Sequence, residues 1–406
     1  MKKQQLEPAL IDARREFAGL ESDWAYFDNA GGSFTLRRVI ERVGEYMQTM
    51  PVQLGGNYPL SQQAATRQAE AMRQLAAFVN AAHAEEILFG ASSTALTWQL
   101  ARAMRPLLKD GDEIVITVMD HEANRSPWLW LREFGVTVRS WEIDRDDFSL
   151  SLRKLDELLN QRTRLVCFSQ CSNLLGRIEP VKEITRRVHA AGARVFVDGV
   201  AYAPHRRVDV REWDVDFYVC SLYKIFGPHI GMLYGRRDIL LELANINHEY
   251  LAADALPYKL QPGGASYELA WGAAGIPEYF SRWETESGSD PFEEIARHEA
   301  RLATPLLAFL AAHDDVTLLG SPDADPLVRL PIIAFRHATL PSAGIAAALA
   351  DRRLAVKHGH FHSRRLLEFL GVPPEDGVVR VSFAHYNTAD EVERLVSALG
   401  EILGNP

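Results

Sequence analysis

A chain of 406 residues is too long for one small core and short for three domains, which predicts two domains, one large and one small. With 54 acidic against 44 basic residues the formal charge is −10, which argues against non-specific binding to nucleic acid or to anionic lipid, since both need a positive field. No run approaches the roughly 20 apolar residues of a membrane span, and the amino terminus carries no secretory pattern. The three cysteines, Cys167, Cys171 and Cys220, make neither a disulfide framework nor a CxxC pair, so a cytoplasmic location with reduced thiols is expected.

From about residue 85 short apolar runs alternate with longer helical patterns. The runs are Ile87–Ala91, Glu113–Thr117, Thr137–Ile143, Arg164–Ser169, Arg194–Asp198, Phe217–Ser221 and Ile230–Tyr234. Several are rich in Val, Ile and Phe with little alternation, as in strands buried on both faces. Segments such as Ser151–Asn160 and Val181–Ala191 carry apolar residues at helical spacing between them. The alternation predicts an α/β fold with a mainly parallel, seven-stranded sheet covered by helices. The polar stretch Glu284–Asp290 marks a boundary. Beyond it a helix is expected from about Pro291 to His313, then strands near Leu330–Phe335, Ala355–His358 and Val378–Phe383. Thr388-Ala389-Asp390-Glu391 is a capping box opening a last helix whose apolar stripe is Val392, Leu395, Val396 and Leu399. The expected division is an N-terminal segment, 1–25, packing with the small domain; a large domain, 26–285; and a small α+β domain, 286–406.

Ligands of open α/β sheets bind at the carboxyl ends of the strands, so the polar residues just after each run are the candidates. Ser92, Ser93 and Thr94 follow the first, Asp120-His121 the second, Ser172-Asn173 the fourth; Asp198 ends the fifth, and Ser221-Leu222-Tyr223-Lys224 follows the sixth. The set matches the needs of pyridoxal 5′-phosphate (PLP). Its aldehyde condenses with a lysine, its pyridine nitrogen needs a carboxylate, and its phosphate needs hydroxyls and N–H groups at a helix N-terminus. Of eight lysines, Lys224 is the best placed, and Asp198 closes a strand that would hold its carboxylate rigidly.

The stretches Tyr26-Phe27-Asp28-Asn29-Ala30-Gly31-Gly32, Asp120-His121-Glu122-Ala123-Asn124, Ser172-Asn173-Leu174-Leu175-Gly176, Val197-Asp198-Gly199 and Ser221-Leu222-Tyr223-Lys224 resemble motifs of the class V aminotransferases. The likeness is strongest to the cysteine desulfurase and selenocysteine lyase branch, and it runs on through Phe226–Gly231 to Arg380–Phe383 and Tyr386-Asn387-Thr388. It implies the fold-type I architecture of PLP-dependent transferases. By position it implies Lys224 as the Schiff-base lysine, Asp198 as the pyridinium partner and His121 stacked on the ring. Ser93, Thr94 and Ser221 would hold the phosphate, with Asn173 near the ring oxygen and the substrate carboxylate. Arg380 would pair with that carboxylate, a task suited to a planar bidentate donor, and Asn29 and His360 would line the substrate's place. A Gly-Thr of the partner subunit reaches the phosphate in the family; here that place reads Gly263-Gly264, leaving Gly264 only backbone contact. A homodimer with shared active sites is implied.

Three departures qualify the likeness. His362 stands where desulfurases carry their nucleophilic cysteine, and an imidazole cannot store sulfur as a persulfide; only Cys171, from the other side, could substitute. Ala201 replaces the glutamine that bonds the ring oxygen, with Tyr202 or His205 as replacements. Tyr223 precedes the lysine where histidine is common, and it would either donate a proton or pack over the cofactor. His358, His360 and His362 share a face if their segment is extended, which suggests either a histidine-lined substrate pocket or, as the weaker reading, a metal site; no metal is expected. His362 or His360 would then be an acid or base near neutral pH.

The chemistry expected is that of a PLP enzyme acting on a small amino acid through an external aldimine, with Lys224 removing the α-proton. A C–S lyase working by β-elimination without persulfide chemistry comes first, an aminotransferase or epimerase next, and a histidine-triplet metal hydrolase last. A dinucleotide-dependent dehydrogenase is disfavoured because no GxGxxG follows an early strand.

Overall fold

A computed structural model describes residues 13–404. Strand β1 (Ala25–Tyr26) is followed by β2 (Ile87–Gly90), β3 (Glu113–Thr117), β4 (Thr137–Trp141), β5 (Thr163–Ser169), β6 (Arg194–Asp198), β7 (Phe217–Ser221) and β8 (Gly231–Gly235). The last seven form one sheet in the order β2-β8-β7-β6-β5-β3-β4. β8 runs antiparallel to both neighbours, and the remaining neighbours pair in parallel. Every apolar run read from the sequence is thus a strand of this sheet, within a residue or two at its ends.

The runs lack alternation because both faces are covered. Val115, Val166, Val195 and Val197 point into one apolar cluster, while Ile114, Ile116, Leu165, Phe196 and Val219 point into another on the opposite side. β4 is the exception: as an edge strand it leaves Thr137 and Ser140 exposed. At roughly 25 cal/mol per Å² of apolar surface, burial on this scale supplies the main driving force of the fold.

The second sheet contains β9 (Val316–Leu319), β10 (Ile332–His337), β12 (Lys357–Gly359) and β13 (Val378–Ser382), all antiparallel, in the order β12-β13-β10-β9. β11 (Leu354–Ala355) pairs instead with β1. Leu302, Leu306 and Leu310 of the helix Pro291–Ala311 and Leu395 and Leu399 of the helix Ala389–Leu403 pack on Ile333, Phe335, Val379 and Val381. The capping box is formed: Thr388 Oγ1 accepts from Glu391 N at 3.2 Å, and Glu391 Oε2 accepts from Thr388 N at 3.0 Å. Of the expected N-terminal segment, residues 1–12 lie outside the described residues. Farther on, Arg14 pairs with Glu391 at 2.9 Å and Phe17 packs edge-on to Phe226 and Tyr386. No helix among the described residues is long and apolar enough to cross a membrane.

β2, β3, β5, β6 and β7 all point their carboxyl ends at one edge of the large sheet. β13 and the segment after β12 close over that edge, and the space between is the candidate site.

Candidate active site

An inner cavity sits on the strand ends. Ser92, Ser93 and Thr94 line it where β2 turns into the helix Ser93–Met104. Ser92 caps that helix by accepting from Ala95 N at 3.1 Å, so the first turn is fixed and its N–H dipoles face an anion's place. Ser93 Oγ lies 2.8 Å from Ser221 Oγ, which joins the helix start to the end of β7. The approach depends on Gly231 at the start of β8. A Cβ there would stand 2.4 Å from Ser92 C and 2.5 Å from Ser93 N, so only glycine lets β8 pass beneath the turn.

Asp198 and Lys224 line the same cavity. Asp198 is 7% exposed, and Val200 N donates to its Oδ1 at 2.9 Å. Burial raises its carboxyl to about 6, opposed by the Val200 N–H and by Lys224. The amine of Lys224 is drawn down to about 8 by burial and then by the Arg380 guanidinium, with Asp198 pulling the other way. His121, between the two cavities, is pushed down to about 3 by burial and then by the neighbouring Lys224, so it is a neutral imidazole at physiological pH. Its Nδ1 accepts from Ala123 N at 3.1 Å, which leaves the ring proton on Nε2. Tyr223 stacks on His229 with rings 4.6 Å apart and 7° from parallel. Burial raises the Tyr223 phenol above its usual value, so it stands as a neutral donor.

An outer cavity opens beyond His121, Asn173, Tyr223 and Lys224, and Arg380 of β13 stands in its wall. Arg380 is 2% exposed and donates to Asp28 Oδ1 at 2.7 Å and to the Asn173 carbonyl at 3.3 Å, with its guanidinium 4.0 Å above the Phe361 ring. Its Nε is buried without a partner. Asn173 donates to the Phe361 carbonyl at 3.0 Å and accepts from Ser363 Oγ at 2.8 Å. Glu122 N donates to the His362 carbonyl at 2.8 Å. These bonds tie the 360–363 loop of the small sheet to the strand ends of the large one.

Several expectations are corrected by position. Asn29 lines neither cavity: its amide donates to the Ser382 carbonyl at 2.8 Å and to Asn387 Oδ1 at 3.1 Å, and its oxygen accepts from Tyr386, so it is spent on joining chain segments. Tyr202 and His205 do not replace the missing glutamine. Tyr202 packs edge-on to Trp213, 5.8 Å away, outside the inner cavity, and His205 Nδ1 is held by Glu299 at 2.6 Å. Ala201 itself faces the cavity. The three histidines do not share a strand face, because the extended segment ends at Gly359 and both Phe361 and His362 are left-handed, with φ of 49° and 58°. No group of three His, Cys, Asp or Glu side chains among the described residues could hold a metal ion. His360 and His362 nevertheless border the outer cavity with His358, and His362 lies 5.2 Å from His121, ring to ring. Gly264 lines neither cavity of its own chain; it is exposed in a loop, with φ of 82°. Cys171 lines the inner cavity, but burial raises its thiol, and it packs with Ala30, Ala201, Leu330 and Ile332. Asp28, Phe361, Ser363 and Lys357 were not singled out from the sequence, although Asp28 lies within one of the resembling stretches.

These side chains fit PLP. The inner cavity offers hydroxyls at a helix N-terminus, a lysine whose amine is easily freed of its proton, and a buried carboxylate in need of a cation. Burial raises Asp198, and Lys224 is the one cation opposing that rise; a protonated ring nitrogen would supply another.

The description "Aminotransferase class-V" matches residues 25–395. The chain is 37% identical over 403 residues to the aminotransferase-like protein FGM3 of Gibberella zeae, covering 97% of this chain and 98% of that protein. It is 36% identical over 401 residues to the cysteine desulfurase-like protein ustD of Aspergillus flavus, covering 96% and 90%. The apo structure of a cysteine desulfurase from Thermococcus onnurineus NA1 superposes with a TM-score of 0.87 at 27% identity, covering 98% of this chain and 99% of that one.

Proposed function

The chain belongs to the class V aminotransferase family and is a PLP-dependent enzyme of fold type I, and from that premise we propose that it is a lyase that eliminates a sulfur group from Cβ of an amino acid without persulfide chemistry. One observation carries the reading: all three cysteines are buried, and Cys171, the thiol that reaches the cavity, is held protonated by burial. A persulfide needs an accessible thiolate, and His362 occupies the mouth instead.

The residues divide the work. Arg380, whose Nε has no partner, and Asn173 bind the α-carboxylate while Asp28 keeps its hold on Nη2. PLP supplies an aldehyde for the substrate amine and an electron sink for the α-carbon. Lys224, with its proton held only to about pH 8, takes the α-proton. Asp198 would pair with the ring nitrogen of PLP, and His121, a neutral imidazole, would lie against the ring with its Nε2 proton available. His362 or His360 protonates the leaving group, with Tyr223 as a neutral donor on the other side.

The same proposal includes a cytoplasmic homodimer, in which the exposed loop at Gly264 reaches the phosphate site of a second copy, and a division into 26–285 and 286–406 with residues 1–25 against the small domain. Incubation of the holoenzyme with cysteine derivatives tests the reaction. Pyruvate with ammonia is the expected product; accumulation of pyridoxamine phosphate would make it a transaminase, and inverted α-carbon chirality an epimerase, either of which overturns the lyase reading.

A further inference from the structure

The outer cavity offers more donors than one carboxylate can use. Lys357, His358, His360 and His362 border it in addition to Arg380 and Lys224, whereas its one acidic lining residue is Glu375. Glu375 is already engaged, accepting from Arg364 Nη2 at 3.2 Å, and Asp28 behind the wall is engaged by Arg380. Lys357 makes no ion pair among the described residues.

Strand register sharpens the imbalance. Lys357 of β12 is the direct antiparallel partner of Arg380 of β13, so the two cationic side chains leave the same face of the sheet side by side. Like charges directly opposite one another destabilise a sheet, and Asp28 is bonded to Arg380, which leaves Lys357 without an acidic partner among the described residues. The imidazoles also present protons. His360 Nδ1 accepts from His362 N at 3.1 Å, so its Nε2 carries the hydrogen and donates, as Nε2 of His121 does. The wall is built of donors with few acceptors, and Lys357, His358 and His362 stand exposed at its mouth, so the field at the opening favours an anionic group.

We propose that the substrate side chain carries a second anionic group, a carboxylate or a sulfur oxyanion. Lys357 and the imidazole N–H groups of the 358–362 segment take this group, while Arg380 takes the α-carboxylate. The inference rests on the amino-acid reading above and adds to it the charge of the side chain. Neutral side chains of the same size forgo the charge-assisted contact to Lys357 and bind less well.

L-Aspartate and L-asparagine differ in this charge and hardly in shape. Titrating each into the holoenzyme and following the visible band of the bound cofactor gives a dissociation constant that does not depend on turnover. Aspartate is expected to bind at least about tenfold more tightly than asparagine, the range of one charge-assisted hydrogen bond. Lys357→Met and His360→Gln, both at the cavity wall, are expected to weaken aspartate far more than asparagine, so that a folded protein is verified in the same titration. Equal affinity for the two amino acids, or a preference that both variants keep, overturns the proposal and leaves the lyase reading standing. Failure of every amino acid to shift the band would overturn the amino-acid reading itself and the charge preference with it.

Discussion

Replacing Asp198 by Asn tests the electrostatic design of the inner cavity through stability. The carboxyl is 7% exposed and is raised from 3.8 to about 6 in the fold, chiefly by burial. It therefore binds its proton more tightly folded than unfolded, and the native state loses stability as pH rises between those values. Above about pH 6 the whole cost is present; below about pH 4 both states hold the proton and none of it is. The rise from 3.8 to about 6 corresponds to about 3 kcal/mol. Asn keeps an oxygen to accept from Val200 N, so the substitution removes the charge and little else. The cofactor-free Asp198→Asn protein should be more stable than wild type by up to about 3 kcal/mol at neutral pH, with the difference fading as the pH falls through the window. Urea unfolding at a series of pH values reads this directly. The holoenzyme of the same variant should lose turnover, because the ring nitrogen no longer has a carboxylate partner. A variant no more stable than wild type at pH 7, or a gain that does not change with pH, would refute the reasoning.

Two further outcomes follow from particular contacts. Gly231→Ala places a methyl 2.4 Å from Ser92 C, and a backbone neighbour cannot give way; about 1–3 kcal/mol of stability should be lost, together with PLP affinity, as measured by thermal melting with and without added cofactor. Because the Lys224 amine titrates at about 8 rather than 10.5, the rate at which PLP attaches to the cofactor-free protein should rise as pH climbs through about 8 and then level off, since only the free amine attacks. A rate still rising steeply above pH 9.5 would mean an unperturbed lysine.

The large sheet was legible because strands covered on both faces must be apolar along their whole length, as Val195–Val197 and Ile114–Ile116 are. Its ligand edge was legible for a related reason: Asp198, Ser221 and Lys224 follow strand ends directly, so finding the strands finds them. β1, at two residues, is too short to leave a pattern, and β9 is an edge strand buried at only one of its four positions, so it lacks the continuous apolar run of the others. The Asp28–Arg380 pair joins positions 352 apart in sequence, which no local spacing encodes. The expectation that alternate histidines from 358 to 362 share a face failed at backbone conformation. Phe361 and His362 adopt left-handed φ, which side chains of their kind rarely do and which tertiary contacts from Asn173, Arg380 and Glu122 hold in place. Asn29, which the resemblance put at the substrate's place, is buried with four hydrogen-bond partners that use up its amide, none of them near it in sequence except Tyr26. Ala201 has no replacement that the sequence could have pointed to, since Tyr202 turns to another face of the loop.

Reduction of the PLP-loaded protein with borohydride, followed by peptide mass analysis, bears most directly on the account. The reagent freezes the cofactor onto whichever amine holds it, and the mark should fall on the peptide containing Lys224, with none on the seven other lysines. A mark on Lys357 or Lys259, or a protein that takes up no cofactor at all, would contradict it.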